Sequence, residues 1–236
     1  MTKIILLGTN HADILGSSAL YAALQKEKPD FVTVETNETM RVREDARDFC
    51  LDFICGIESA GKTLTGDQKE RLREYLARIE VRGFEWNTAK SWAATNQVSI
   101  RQIGIAFDDS KNYTNGLQRA IGSFVEREQS NDFYLPDATT SRLKTIRANY
   151  YREQMFLFRH PMHAKKIVDS LRARNLIGYR DERMARRIKR IVAYEKPTVL
   201  MHIGGCGHML ADREDGTLLE HLRELKPARR LLSDYL

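Results

Sequence analysis

The stretch IILLGTNH, residues 4–11, and the stretch PTVLMHIGGCGH, residues 197–208, place the same pattern near both ends of this 236-residue chain. Each is a short apolar run that ends in Gly-x-x-His, and the two histidines are His11 and His208. Short apolar runs rich in branched residues are typical of strands buried on both faces of a parallel sheet. The two stretches therefore predict two core strands that finish in one polar motif.

The residues around the first stretch predict a β-α-β unit. Residues 3–8 form the first strand, and the segment GSSALYAALQKEKPD predicts a helix capped by Ser17 or Ser18. The segment FVTVE, residues 31–35, predicts a second strand. Two strands joined by a helix through short connections indicate a parallel sheet with a right-handed crossover.

The remaining strands lie far apart along the chain. Residues 99–109 predict a third strand that ends near Phe107, and residues 197–205 predict a fourth. Most of the chain between them has helical periodicity, broken near Pro161 and near Gly178. We therefore expect an α/β fold with a small, mainly parallel sheet flanked by helices. A large helical insertion, at about residues 110–195, separates the third and fourth strands of this single domain, residues 1–236. The final segment RRLLSDYL fits either a last strand or a docked tail.

Composition excludes several classes of protein. Hydrophobic residues make up 42% of the chain and charged residues 30%, which suits a water-soluble domain. No apolar run approaches the roughly 20 residues that span a bilayer, and the N-terminal run is too short for a signal peptide. Three cysteines without paired spacing argue against a disulfide framework. We expect a cytoplasmic protein with no membrane span.

Positive charge is concentrated in residues 142–194, which hold 15 Lys and Arg against 4 Asp and Glu. Our interpretation of this run is a solvated helix face. Arg180 is the exception, because a guanidinium at the rim of the sheet suits a carboxylate or a developing oxyanion. Asp181 follows it and is placed to cap the helix after Gly178. Without a recognised nucleic-acid fold, a nucleic-acid partner is not expected.

Polar residues follow each predicted strand. His11, Glu35, Asp108 and His208 come after strands one to four, and Asn10 precedes the first histidine. Because the carboxyl ends of parallel strands share one edge, we expect these side chains to meet there. Two imidazoles and a carboxylate suit a divalent cation such as zinc, manganese, cobalt or iron. They equally suit acid–base chemistry without a metal, or two unrelated tight turns.

The other histidines carry weaker signals. His202 lies inside the apolar run of the fourth strand and is predicted to be a core or sheet-facing residue. His160 and His163 flank a helix break, and a surface position is the favoured interpretation.

Four motifs together resemble a known family. GTNH after strand one, TVET at strand two, RDERMA at the start of a late helix and GGCGHM after strand four occur in this order in TraB/PrgY proteins and the related TIKI proteins. The wider group includes the ChaN-like and erythromycin-esterase-like folds. The resemblance spans residue 4 to about residue 225, and the segment 40–175 adds no specific motif.

The resemblance implies a mixed α/β fold with both Gly-x-x-His motifs facing one cleft. It implies a metal-dependent peptidase in which His11, Glu35 and His208 form the catalytic or metal-binding group and Arg180 is the motif arginine. We add Asp108, Asp181 and Asn10 as candidates for orienting that group. The TraB/PrgY branch is linked to the shutdown of peptide pheromones, which again points to peptides.

The leading hypothesis is a metal-dependent hydrolase with peptidase-like activity. A divalent metal ion would be its cofactor, and a peptide or small molecule its substrate. The alternatives are a metal-independent histidine-based esterase or hydrolase, and a non-enzymatic regulator that binds a peptide, haem or an anion. Assembly into a homo-oligomer is left open by the sequence.

Overall fold

Within the described residues, five parallel strands form one sheet in the order β3-β2-β4-β1-β5. Their bounds are β1 (Lys3–Thr9), β2 (Phe31–Val34), β3 (Ser99–Gln102), β4 (Val199–Gly205) and β5 (Ala228–Leu231). The computed structural model describes residues 2–11, 13, 15–36, 55–59, 61, 63, 66, 84–104, 140–173, 176–211 and 216–235, the side chains of 140–143 and 146 excepted.

Helices flank this sheet. They are α1 (Gly16–Glu27), α2 (Phe84–Asn96), α3 (Thr140–Arg159), α4 (Pro161–Ala173), α5 (Tyr179–Tyr194) and the short α6 (Leu218–His221). Single 3-10 turns cover Cys206–Met209, Arg223–Leu225 and Leu232–Tyr235. None of the helices within the described residues has the length and apolar character that crossing a bilayer requires.

The strands that carry the two Gly-x-x-His motifs are direct neighbours. β1 pairs with β4 along its whole length, with Gly8 opposite Gly204 and Thr9 opposite Gly205. Both strands are buried except at their ends. The first and last thirds of the chain are therefore joined at the centre of the sheet, which brings the two motifs to the same edge.

The predicted fold class is confirmed, since the sheet is parallel and helices flank it. Helices α3, α4 and α5 lie between β3 and β4 in the chain, and they are separated near Pro161 and Gly178 as predicted. The predicted start of the insertion near residue 110 falls outside the described residues, so its extent stays a prediction. The C-terminal segment combines both proposed forms, because β5 is followed by a 3-10 turn.

Two local predictions were wrong. Helix α1 starts from Leu15 without a side-chain cap, and Ser18 donates its hydroxyl back to the Leu15 carbonyl. The turn before this helix is instead closed by Asp13, whose carboxylate accepts from the Leu15 N–H and whose carbonyl accepts from the Gly16 N–H. Strand β3 ends at Gln102, earlier than predicted, and residues 105–110 are outside the described part.

A close approach of two backbones ends β2 and β3. The Gly104 N–H donates to the Thr36 carbonyl at 2.9 Å, and a Cβ at residue 104 would lie 1.7 Å from the Glu35 carbonyl oxygen. Any side chain there would collide with the backbone, so glycine is required. Arg187 of α5 adds hydrogen bonds to the carbonyls of Ile103 and Gly104 at 3.0 and 2.9 Å. Together these contacts fix the backbone that carries Glu35.

Candidate functional site

Polar side chains from distant parts of the chain meet beyond the carboxyl ends of β1, β2 and β4. We call this group the imidazole–carboxylate cluster, and its members are His11, Glu35, Glu85, Arg180, Asp181 and His208. In open parallel sheets ligands bind at this edge, because loops and helix ends converge there. The cluster lies where such a ligand would bind.

Glu35 is the centre of the cluster. Its Oε1 atom contacts His208 Nε2 at 2.8 Å and accepts from the Arg180 guanidinium at 3.1 Å. Its Oε2 atom accepts from the Gly205 N–H at 2.7 Å and lies 3.7 Å from His11 Nε2. A carboxylate that is 7% exposed therefore faces both motif histidines and is held by a backbone donor and an arginine.

His208 is held on both sides of its ring. Its Nδ1 atom is 2.7 Å from Asp181 Oδ1, and its Nε2 atom contacts Glu35. Asp181 is fully buried and is itself fixed, because it accepts from the backbone N–H groups of Leu218 and Gly178. The ring of His208 is consequently fixed in one orientation by two carboxylates.

His11 has the same outer contact and a more open inner one. Its Nδ1 atom is 2.8 Å from Oε1 of Glu85, a buried residue that also accepts from the Thr9 hydroxyl at 2.9 Å. Its Nε2 atom faces Glu35 without a direct hydrogen bond, and 52% of its side chain is exposed. Of the two imidazoles, His11 is the one that solvent or a substrate can reach.

The pKa values of the cluster follow from these contacts. Burial opposes the charge of Glu35, but His208, His11 and Arg180 outweigh it and hold the pKa of this carboxyl well below its usual range. Burial also opposes protonation of His208, yet Glu35 and Asp181 raise its pKa to about 10. Desolvation also opposes protonation of His11, but its hydrogen bond to Glu85 and the charge of Glu35 outweigh this, so the pKa of His11 is raised. Without a bound cation, these raised pKa values favour the protonated form of both imidazoles.

The loop that carries His11 is attached to α3. Arg147 donates from Nε to Asp13 Oδ2 at 2.7 Å, and the Tyr151 hydroxyl donates to the same oxygen at 3.0 Å. The Asn10 N–H donates to the Tyr151 hydroxyl at 3.3 Å. A buried ion pair and a tyrosine thereby hold the turn on either side of His11 in place.

The structure brings together most of the residues that the sequence singled out. His11, Glu35, His208 and Arg180 are in mutual contact through Glu35. Asp181 is the carboxylate behind His208, and as third residue of α5 it also accepts from the Gly178 N–H at the start of that helix. Asn10 contributes its backbone to the loop contact described above, and Asp108 lies outside the described residues.

Sequence reasoning missed Glu85. This residue lies in the first turn of α2, where an acidic side chain is ordinary because it favours the helix dipole. Its burial, at 2% exposure, is the property that marks it, and a single sequence does not reveal the burial of a charged residue. Its role also depends on α2 packing against α1, a contact between segments about 60 residues apart, which no local pattern predicts.

The donor set of the cluster fits a divalent cation. Each motif histidine uses Nδ1 to contact a buried carboxylate, which is how metal-bound imidazoles are oriented in proteins. Three carboxylates and one guanidinium leave two negative charges when both imidazoles are neutral, and one divalent cation or two protons would balance them. In this arrangement protons rather than a cation balance the charge, because His208 Nε2 contacts Glu35 directly. Accordingly, no group of three or more His, Cys, Asp or Glu side chains in the described part of the chain is arranged as a ready metal site.

Comparison with known proteins adds no relative, since no family model matches the chain and neither a curated protein nor a solved structure matches it significantly. The resemblance to TraB/PrgY and TIKI proteins therefore stays a prediction from four short motifs. The site is interpreted below from its own geometry.

Proposed function

We propose that this chain is a metal-dependent hydrolase with peptidase-like activity, acting at the imidazole–carboxylate cluster. One observation carries the proposal. Two imidazoles from opposite ends of the chain each fix Nδ1 on a separate buried carboxylate and present Nε2 to the shared carboxylate of Glu35. Burial of three carboxylates carries a large desolvation cost, and two histidines that only completed tight turns would not account for it.

The residues that would hold the cation are His11, Glu35 and His208. A bound divalent cation would supply Lewis acidity at neutral pH, which polarises a carbonyl and acidifies water. Glu85 and Asp181 keep the two rings oriented with Nε2 toward Glu35. Arg180 and the Gly205 N–H donate hydrogen bonds to Glu35, and Arg180 stands close enough to stabilise an oxyanion that forms beside that carboxylate.

A metal-independent hydrolase is the second candidate, and a separate observation favours it. His11 and Glu85 form a carboxylate–imidazole pair whose free Nε2 is accessible, which is the arrangement of a general base. His208 needs no cation in this scheme, because its protonated ring donates one N–H to Glu35 and the other to Asp181. Water would then be activated by His11, with Arg180 again beside the developing negative charge.

Peptides and amides are proposed as substrates because of the motif resemblance alone, so the first experiment uses a broad panel. Purified chain is stripped with a chelator and assayed on fluorogenic peptides and aryl esters. Manganese, cobalt, zinc or ferrous iron is then added back singly. We expect hydrolysis that is lost on stripping and restored by at least one metal. Activity that survives stripping would instead support the metal-independent candidate.

The ligands are tested in the same preparation. The double variant His11→Ala/His208→Ala should lose bound metal, while His163→Ala, an exposed histidine on α4, serves as the matched control. Full metal occupancy in the double variant would refute the ligand assignment. No hydrolysis of any substrate, together with a peptide, haem or anion that co-purifies, would refute the enzyme and favour a binding protein.

A further inference from the structure

A third histidine lies directly beneath the cluster. His202 of β4 is fully buried and stands opposite Thr33 of β2 in the parallel register. Residues two apart on a strand share a face, so Thr33 and Glu35 lie on the same side of the sheet, as do His202 and Gly204. The sequence predicted a core position for His202, and the structure confirms it. Its polar contacts, however, are not those of an ordinary core residue.

The hydrogen bond between Thr33 and His202 indicates which ring nitrogen carries the proton. His202 Nδ1 lies 3.0 Å from Thr33 Oγ1. Burial lowers the pKa of His202 to about 4, so the ring is neutral at neutral pH. Among the described residues Nδ1 is the acceptor within reach of the buried threonine hydroxyl, so the hydroxyl donates to Nδ1 and the ring proton resides on Nε2.

His202 Nε2 has no hydrogen-bond partner among the described residues. It is a buried donor, and a buried donor left without a partner is rare in folded proteins because it loses its hydration without compensation. The carboxylate of Glu35 lies along the same face of the sheet, on the other side of Gly204. No direct hydrogen bond joins the two groups.

Gly204 keeps a side chain out of the gap between them. A Cβ at residue 204 would lie 3.0 Å from His202 Nε2 and 3.0 Å from Glu35 Oε2, so these two atoms are at most about 6 Å apart. One water with a hydrogen bond to each atom spans such a distance. An anion would be repelled by Glu35 and a cation would meet an N–H, so this space suits a neutral molecule that both accepts and donates a hydrogen bond.

We propose that this space binds one water molecule, which accepts from His202 Nε2–H and donates to Glu35 Oε2, and that His202 is a positioning residue for Glu35. Oε2 already accepts from the Gly205 N–H and has a second lone pair for the water. The pair Thr33–His202 would then fix the carboxylate from below, as Arg180 does from the side. The positioning role rests on the proposed function, whereas the water site does not.

The water site is tested by crystallography. A high-resolution crystal structure of the chain should show an ordered water at about 2.7–3.2 Å from both His202 Nε2 and Glu35 Oε2. The variant Gly204→Ala places a methyl group in the same space and should lack this water. A direct contact between Nε2 and a protein acceptor, or no ordered water between the two atoms, would overturn the proposal.

The melting temperature of a variant gives an independent test, because it should fall if the water is present and should stay the same or rise if the water is absent. The double variant Thr33→Val/His202→Leu removes both buried polar groups and keeps their approximate shape. If a water links His202 to Glu35, the double variant should lower Tm by about 2–4 °C. This loss should disappear in a Gly204→Ala background, where the water has already been displaced. An unchanged or higher Tm for the double variant in the wild-type background would mean that Nε2 has no partner, and would overturn the proposal.

Kinetics test the positioning role. We expect Thr33→Val/His202→Leu to lower kcat about tenfold with KM unchanged, because substrate does not touch His202. His202→Gln keeps an N–H donor near the position of Nε2 and should recover most of that loss. Equal kcat values for these two variants would overturn the positioning role. If the chain hydrolyses nothing, the crystallographic and stability tests still decide the water site, so failure of the proposed function remains distinguishable.

Discussion

The two Gly-x-x-His segments end in histidines whose environments are opposite. His208 is 6% exposed, lies in a 3-10 turn, and contacts a carboxylate through each ring nitrogen. His11 lies in a turn after β1 with half of its side chain exposed, and only its Nδ1 is within hydrogen-bond distance of a carboxylate. The same short motif therefore produces a buried histidine at one strand end and an accessible one at the next.

Because their environments differ, the two histidines make different contributions to the site. His208, with Asp181 and Arg180 of α5, connects the helical part of the chain to Glu35 and keeps that carboxylate ionised. His11, with Glu85 of α2, supplies the imidazole edge that a substrate can approach. We infer that the β4 side of the cluster mainly organises the site and the β1 side mainly reacts.

Glu35→Gln should have the largest effect, because Glu35 is shared by both sides. The amide keeps the shape but removes the charge that faces His11, His208 and Arg180. We expect kcat/KM to fall about 10³-fold or more, which corresponds to about 4 kcal/mol of transition-state stabilisation. Steady-state assays on the metal-loaded protein measure this, and circular dichroism checks that the variant is folded. Activity within tenfold of wild type would contradict the central position of Glu35.

The second prediction compares the two histidines through stability. His208→Ala leaves Glu35 and Asp181 buried beside an empty site, and removal of one partner from a buried charged network should cost about 3 kcal/mol. His11→Ala removes a half-exposed ring whose partner Glu85 still accepts from Thr9, so the cost should stay below about 1 kcal/mol. Chemical unfolding of metal-free protein measures both, with His163→Ala as the exposed control. Equal losses for the two variants would show that the difference in exposure has no energetic consequence.

The neighbouring positions of these histidines were partly predictable. The apolar runs of β1 and β4 and the β-α-β pattern were enough to place His11, Glu35 and His208 at one edge of a parallel sheet. The pairing of β1 with β4, residue 8 opposite residue 204, was not predictable, because many strand orders are compatible with the same local patterns. Strand order depends on long-range packing of faces that all look alike in sequence.

Some of the charged residues that contact these histidines were predictable from the sequence, and others were not. Asp181 was found because it follows a glycine at the start of a predicted helix, and Arg180 because a guanidinium suits the rim of the sheet and matches the motif arginine. Glu85 was missed, and Asp108 was given a role that the described residues do not test. A buried carboxylate and a solvated one look identical in sequence, and only the tertiary contact between α2 and the β1 loop distinguishes them. The fifth strand was ambiguous for a similar reason, since the four residues ARRL are too few to distinguish a strand from a tail.

A third prediction tests whether Glu85 acts through His11. Glu85→Gln keeps a hydrogen-bonding group beside His11 Nδ1 but removes the charge that fixes the ring tautomer. Loss of such an orienting carboxylate should weaken metal affinity or activity about 10–100-fold. In the His11→Ala background the same substitution should have little further effect, because the ring that it orients is already absent. Additive losses in this double-mutant cycle would mean that Glu85 acts independently of His11.

The last prediction concerns the proton that His208 retains. In the metal-free protein the pKa of His208 is raised to about 10, against about 6.5 for an ordinary histidine. A raised pKa contributes stability that is fully present below about pH 6.5 and is lost as the pH rises through 10. Below pH 6.5 the buried neutral His202, whose pKa is lowered to about 4, acts in the opposite direction, so the test is confined to higher pH.

A cation at Nε2 has to displace the proton that His208 retains in this range. Apparent metal affinity should therefore rise about tenfold for each pH unit between about pH 6.5 and 10, with a steeper slope where His11 also releases a proton. Competition with a chelating fluorophore, corrected for the protonation of the chelator, measures the slope. His208→Gln has no titrating proton there and should flatten it, whereas His11→Ala should retain most of it. A wild-type slope in His208→Gln would place the displaced proton elsewhere. The buried histidine would then not be the group that exchanges a proton for a cation, and the division between an organising and a reacting side of the cluster would fail.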